Sequence, residues 1–175
     1  MLLFKKNIKV NCLRIATKII FCATLIFITQ LKIFAQSKDV YMFSYFNNNG
    51  KDGLHLAYSH DGYKWIALNN DSSVLKPTVA NDKLMRDPCI IKGADGLFHM
   101  VWTVSWNDKG IGYAGSKDLL NWSEQKFIPV MAHEDSARNC WAPEITYDIK
   151  KKQYVIYWAT TISGKYAAVD KSVES

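Results

Sequence analysis

Several features are scarce in this sequence, and each scarcity excludes a class of protein. No acidic residue occurs in the first 35 positions, whereas all 16 acidic residues and 16 of the 22 basic residues follow. The net charge of +6 therefore belongs to the N-terminal segment, and the remainder is neutral. A neutral remainder lacks the basic surface that nucleic acid requires, so we expect no nucleic-acid partner.

The N-terminal segment also lacks an apolar run of the ~20 residues that a membrane span needs. Its apolar stretch, 19–28, follows a basic region over 5–18 and precedes the small residue Ala35, which is the pattern of a signal peptide. We predict a signal peptide over 1–35 and one domain over 36–175, hence a secreted or periplasmic protein with no stable membrane span after cleavage. An uncleaved anchor is the alternative, because bulky and basic residues stand shortly before Ala35.

Cysteine is scarce as well. Cys12 and Cys22 lie in the signal segment, which leaves Cys89 and Cys140 for the mature part. An exported protein could join them in one disulfide. They occupy positions that do not correspond in the repeat described below, so we favour two buried thiols. The histidines show no metal-ligand spacing, and we expect no metal and no cofactor.

What the sequence does contain is a repeat of about 56 residues. A third copy begins near Pro143, which follows Pro88 by 55 residues, and Trp158 follows Trp102 by 56. In the first two copies, five residues recur at an offset of 57: Gly53, Ala57, Ser59, Asp61 and Trp65, then Gly110, Ala114, Ser116, Asp118 and Trp122.

Each copy divides into short segments rich in aromatic and β-branched residues, separated by turn residues. The best-covered copy predicts strands over 89–91, 98–104, 110–116 and 122–128. Four antiparallel strands in a unit of this length describe a propeller blade, and no long stretch after the signal segment has helical periodicity. We therefore predict an all-β fold, a partial β-propeller of about two and a half four-stranded blades. That number cannot close a ring, so the chain is either incomplete or completed by another chain.

The recurring Ser-x-Asp turn has a structural interpretation. The short side chains of Ser59, Asp61 and their counterparts can bond to nearby backbone N–H groups and fix the turn between the third and fourth strands. Trp65 and Trp122 should then pack between blades. Trp102, Trp106 and Trp158 are expected in the blade cores.

The residues that open the first strand of each blade are the candidate site. Asp87 precedes Pro88, which should hold it extended at the mouth of the channel. Arg86 beside it could pair with Asp87 or contact sugar hydroxyls. Capping of a turn by Asp87 is an equal alternative on the pattern alone.

The segments 86–91, 110–122 and 141–145 resemble glycoside hydrolase family 43. The resemblance implies a five-bladed propeller that hydrolyses arabinose- and xylose-containing plant polysaccharides or oligosaccharides. It implies that Asp87 is the general base of an inverting reaction, although related fructan hydrolases retain configuration. Glu144 stands where the family commonly has aspartate. The family's general acid and a second aspartate lie on later blades, so this chain alone is expected to be inactive.

Substrate contacts are predicted for Arg86, Glu144 and the loop that leads into the third copy, in which we single out Arg138, Asn139 and Trp141. Stacking of Trp141 on a sugar and its packing between blades are equally supported.

One alternative function is a non-catalytic carbohydrate-binding propeller. Another is a sialidase-like propeller, suggested by the Ser59–Trp65 turn. Sialidases need an arginine cluster, and only two arginines follow the signal segment.

Overall fold

A computed structural model describes residues 39–165 of the chain. The predicted signal peptide, 1–35, lies outside these residues. Within the described part, no helix is long and apolar enough to cross a membrane. Apart from two single-turn 3₁₀ segments, Asn48–Gly50 and Leu68–Asp71, the regular structure there consists of strands.

The strands form three antiparallel sheets, ordered as along the chain. The first sheet contains β1 (Tyr41–Phe46), β2 (Leu54–Ser59) and β3 (Ile66–Ala67). The second contains β4 (Arg86–Lys92), β5 (Phe98–Thr103), β6 (Ile111–Ser116) and β7 (Lys126–Ile128). The third contains β8 (Trp141–Asp148) and β9 (Gln153–Ala159). The fold is a partial β-propeller, and we call these sheets blades 1, 2 and 3.

The four strands predicted for the central copy are therefore all present, and only their bounds differ. The fourth begins at Lys126, because Trp122 makes only an isolated bridge with Ser116 before the chain leaves the sheet. By the repeat, the strands of blade 1 correspond to the last three of blade 2, and those of blade 3 to its first two. The first strand of blade 2, β4, lies against β1 of blade 1 and β8 of blade 3.

Two hydrophobic cores hold the blades together, one on each side of blade 2. Strand β5 contributes to both, because successive residues of a strand face opposite sides of a sheet. Met100 and Trp102 of β5 are fully buried against Leu54 and Leu56 of blade 1. Between them, Val101 faces the other way and joins a second core with blade 3. That second core contains Ile111, Cys140 and Ile145, with the half-buried Ile156 and Trp158 packed against it. Trp102 and Trp158 thus lie where the repeat predicted them.

Gly112 of β6 fits the Trp102 indole closely. A Cβ at position 112 would lie 2.0 Å from Cε2 of that ring. The backbone of β6 can therefore approach the indole only because residue 112 has no side chain.

The Ser-x-Asp turns form as predicted. Ser59 Oγ accepts hydrogen bonds from the backbone N–H groups of Asp61 and Gly62, at 3.2 and 2.8 Å. The Asp61 carboxylate accepts two more, both of 2.8 Å, from Tyr63 and Lys64. In blade 2, Ser116 and Asp118 repeat this set of bonds. These aspartates stabilise the turns, as the recurrence of the motif indicates.

One position of this turn differs between the blades. Gly62 adopts a φ of 76° in blade 1, and the equivalent Leu119 adopts 67° in blade 2. The left-handed region is easy for glycine and strained for leucine. Leu119 is partly buried and packs against the core between blades 1 and 2.

The two tryptophans that follow these turns have different surroundings. Trp122 packs against the core between blades 1 and 2, as predicted. Trp65 is 42% exposed and contacts Phe43 at a ring distance of 5.5 Å. Its predicted packing between blades is not found, because among the described residues no blade covers this face of blade 1.

Candidate active site

Asp87 lies at the start of β4, where the strand departs from regular pairing. Arg86 pairs with Thr103 of β5, and the register then shifts before Cys89. Asp87 has a φ of 50° in this irregular segment. The prediction of an extended Asp87 before Pro88 is wrong, because the register shift requires a left-handed residue here, and aspartate tolerates that conformation better than most residues.

Blade 3 repeats the arrangement. Ala142 precedes Pro143, has a φ of 45°, and lies in the register shift between Trp141 and Glu144. Two neighbouring blades therefore begin with the same kink before a proline. Only in blade 2 does the kinked residue carry a carboxylate.

Asp87 lines an open cavity of about 420 Å³ where three blades meet. Its lining includes Ser44 of β1, Asp87 and Pro88 of β4, and Ala142 and Glu144 of β8. The strands that border the cavity are those that contact one another across the blades. The cavity thus brings together the first strands of blades 2 and 3.

The Asp87 carboxylate has one protein partner among the described residues. Its Oδ2 accepts a hydrogen bond of 3.0 Å from Thr103 Oγ1. The side chain is half-buried. A carboxylate that is held by one oxygen and open on the other can accept a proton from a bound water.

A larger cavity, of about 540 Å³, lies at the outer turn of blade 2. Asp118 lines it, and hydrogen bonds from Asn121 and Leu120 lower the pKa of that carboxyl to about 2. A carboxylate held so firmly in its ionised form by the turn is a poor proton acceptor. We therefore do not assign Asp118 a role as a base.

Arg86 does not pair with Asp87. Its guanidinium lies 4.4 Å from the centre of the Trp106 ring and 5.1 Å from that of Phe46, and it donates a hydrogen bond to Asn49 Oδ1. Cation–π contacts with two rings fix the Arg86 side chain beside the first residues of β4. Arg86 therefore stabilises the position of the Trp106 ring.

Trp106 and Trp141 form one aromatic unit. Their rings are perpendicular, with centres 5.6 Å apart, and Trp141 Nε1 donates a 3.1 Å hydrogen bond to the Trp106 carbonyl. Trp106 is 42% exposed, so the expectation that it lies in a blade core is wrong. Strand β5 ends at Thr103, and the chain turns outward before residue 106. Trp141 is half-buried and contacts Trp106 of blade 2, which agrees with the predicted packing between blades; its stacking on a sugar stays a prediction.

The other predicted contact residues differ in accessibility. Arg138 is exposed, and its backbone N–H donates to the Thr161 carbonyl. Asn139 is 5% exposed, and its side-chain oxygen accepts a 2.9 Å hydrogen bond from the Thr161 N–H. The Asn139 side chain thus holds the end of blade 3 together. Glu144 is exposed and accepts a hydrogen bond from the Tyr157 hydroxyl, which raises the pKa of Tyr157.

The remaining polar clusters are structural. His55 bonds to Asp52 and Asp71, at 2.9 and 3.2 Å. His99 is 7% exposed and contacts Asp95, Tyr113 and Tyr154. Within residues 39–165, no group of three or more His, Cys, Asp or Glu side chains is arranged to hold a metal ion.

Both cysteines of the described chain are free thiols, as predicted. Cys140 is buried and Cys89 is half-buried. Burial raises the pKa of the Cys140 thiol to about 11. A thiol with this pKa is protonated at neutral pH and is therefore a weak nucleophile.

Comparison with known families identifies the domain. A family model described as a probable glycosyl hydrolase domain, related to glycoside hydrolase family 43, matches residues 37–174. The chain belongs to this family. It is a glycosidase-type domain, and its resemblance to family 43 is confirmed. No curated protein matches the chain.

Solved structures give two further similarities. The α-L-arabinofuranosidase from Lactobacillus brevis is 15% identical, with a TM-score of 0.49, over 75% of this chain and 44% of that one. A glycosyl hydrolase from Bacteroides ovatus is 21% identical, with a TM-score of 0.42, over 71% of this chain and 42% of that one. The chain spans less than half the length of these proteins.

Proposed function

We propose that the protein is an exported glycosidase that hydrolyses arabinose- or xylose-type glycosides of plant polysaccharides with inversion of configuration. The observation that carries this proposal is the Asp87 carboxylate, held by Thr103 and lining an open cavity between blades in a chain of this family. Export rests on the signal-peptide pattern of residues 1–35.

In this mechanism, Asp87 acts as the general base. One carboxylate oxygen remains hydrogen-bonded to the Thr103 hydroxyl. The other takes a proton from a water on the face of the sugar opposite the leaving group, and the oxygen of that water attacks the anomeric carbon as the glycosidic bond breaks. A carboxylic acid on another blade protonates the leaving oxygen, about 6.5–9.5 Å from Asp87 so that the water fits between them. The resemblance to family 43 assigns that acid to a later blade, and we give the role to none of the described carboxylates.

The sugar itself is expected beside Trp106. Its exposed indole is held in place by contacts with Arg86 and Trp141. The flat apolar face of such a ring is a surface on which a sugar ring can stack. Arg138 and Glu144 are exposed at the same ends of the blades and supply polar contacts. The Asn139 side chain is bonded to the backbone of Thr161 and is therefore not proposed to contact the sugar.

The test is Asp87→Asn in the complete protein that carries this chain. Asparagine tolerates the left-handed backbone of position 87 and cannot act as a base. We expect hydrolysis of 4-nitrophenyl α-L-arabinofuranoside or β-D-xyloside to fall by at least about 100-fold. Unchanged hydrolysis would remove Asp87 as the base. The anomer released first, followed by ¹H NMR, distinguishes inversion from retention.

A second candidate function is a carbohydrate-binding propeller without catalysis. The exposed Trp106 ring favours this function, since stacking of a sugar on the ring requires no catalytic acid. The wild type would then bind oligosaccharides without cleaving them, and Asp87→Asn would leave binding intact. The sialidase-like alternative is not supported, because Arg86 is engaged by Asn49, Phe46 and Trp106, and among the described residues only Arg138 remains for an arginine cluster.

A further inference from the structure

Thr103, at the end of β5, connects two blades at the candidate base. Its side-chain oxygen lies 3.0 Å from Asp87 Oδ2 in its own blade. It also lies 2.8 Å from the backbone nitrogen of Ala142 in blade 3. Thr103 is 2% exposed, so water does not compete for either bond.

The chemistry of the partners fixes the direction of both hydrogen bonds. A hydroxyl has one proton to donate and two lone pairs. The Ala142 N–H can only donate, so it occupies a lone pair of Oγ1. The single proton of Thr103 is therefore free to point at Asp87 Oδ2, where the ionised carboxylate accepts it.

The local backbone explains why this hydroxyl is needed. Asp87 and Ala142 each lie in a register shift, where the regular ladder of backbone hydrogen bonds is interrupted. The Ala142 N–H finds its partner in Thr103 instead of in its own sheet. Arg86 and Thr103 form the last regular pair before the kink in β4, so Thr103 lies directly beside Asp87.

We infer that Thr103 is a positioning residue of the active site, which orients the Asp87 carboxylate through Oδ2 and ties it to blade 3 through Ala142. This inference rests on the proposed function of Asp87 as the base. The Thr103 hydroxyl restricts rotation of the carboxylate, and Oδ1 has no hydrogen-bond partner among the described residues. A base held in one orientation reacts with the bound water more often than one that rotates.

The experiment compares variants in the complete protein, with 4-nitrophenyl α-L-arabinofuranoside and β-D-xyloside as probes. Thr103→Val keeps the shape and removes the hydroxyl, and we expect kcat to fall about 10- to 100-fold with KM unchanged. Thr103→Ser keeps the hydroxyl and should restore most of the wild-type kcat. Ser116→Ala is the matched control, since it removes a buried hydroxyl from the outer turn of the same blade and should leave kcat unchanged.

Equal loss of kcat in Thr103→Val and Thr103→Ser would overturn the inference, because packing and not the hydroxyl would then be responsible. Wild-type kcat in Thr103→Val, with Asp87→Asn inactive, would overturn it as well and leave the proposed function intact. Full activity of Asp87→Asn would overturn both. Thermal unfolding followed by circular dichroism identifies a variant that fails to fold, and Thr103→Ala then replaces Thr103→Val with the same expected loss.

Discussion

The indole Nε1 of Trp141 donates a hydrogen bond of 3.1 Å to the carbonyl of Trp106, with the two rings at 88°. This contact joins the first strand of blade 3 to the loop that follows the second strand of blade 2. It holds the half-exposed Trp106 ring at the end of the blades that also carries Asp87. The same end therefore contains an aromatic surface and a carboxylate.

Replacement of Trp106 by alanine is expected to weaken oligosaccharide binding about tenfold, because the stacking surface is lost. Isothermal titration calorimetry of the complete protein with arabinoxylo-oligosaccharides measures this change. Trp65→Ala is the matched control, since Trp65 is also 42% exposed but lies immediately before the outer strand of blade 1. Equal weakening by both variants would exclude a specific role for Trp106.

Gly112→Ala is expected to destabilise the fold by about 1–3 kcal/mol, because the new methyl group overlaps the fully buried Trp102 indole. Urea denaturation followed by tryptophan fluorescence measures the free energy of unfolding. Gly115→Ala in the same strand is the control, since its Cβ would meet no atom closer than 3.6 Å. A Gly112→Ala variant as stable as Gly115→Ala would contradict the close fit.

Asp118→Ala is expected to destabilise blade 2 at neutral pH, because its carboxylate bonds to the backbone of Leu120 and Asn121. The hydrogen bond from the Asn121 side chain and these backbone bonds lower the pKa of Asp118 to about 2, below the ordinary value of ~3.9. The contribution is therefore fully present above pH ~4 and is lost as the pH falls through about 2.

The measurement is the unfolding free energy of wild type and Asp118→Ala at several pH values. The difference between them should be constant from neutral pH to about pH 4 and shrink below that. Lys117→Ala, a neighbouring exposed position, should show no such dependence. A difference that stays constant down to pH 2 would show that the carboxylate charge is not involved.

Cys140 is expected to resist alkylation in the folded protein, since burial raises the pKa of its thiol to about 11 and so keeps it protonated at pH 8. Peptide mass spectrometry after brief treatment with iodoacetamide measures modification at each cysteine. The half-buried Cys89 provides an internal comparison, and full labelling of both is expected in urea. A Cys89–Cys140 disulfide would appear as a linked peptide and would contradict the free thiols.

The repeat in the sequence was sufficient to predict the blades and their turns. Ser59 and Ser116 recur at this period, and each accepts the same hydrogen bonds from the backbone of its turn. The burial of Trp102 followed from the same reasoning.

The candidate site was only partly predictable, because it depends on departures from regular structure. The left-handed Asp87 contradicts the usual preference before proline, and only the register shift explains it. Trp106 follows an apolar strand, which predicts a core position, but the strand ends at Thr103. The sequence does not single out Thr103, since a threonine at the end of a strand has no distinctive pattern. Its importance depends on contacts with residues 16 and 39 positions away.

The outer turns of blades 1 and 2 form the same bend with different residues. Gly62 allows the left-handed bend without strain, and nothing lies near its Cβ position. Leu119 accepts strain at the same bend and gains contact with the neighbouring core. The same bend is therefore unstrained in blade 1, whereas in blade 2 its strain accompanies packing against the core, and a turn moved from one blade to the other would lack the property that its new position needs.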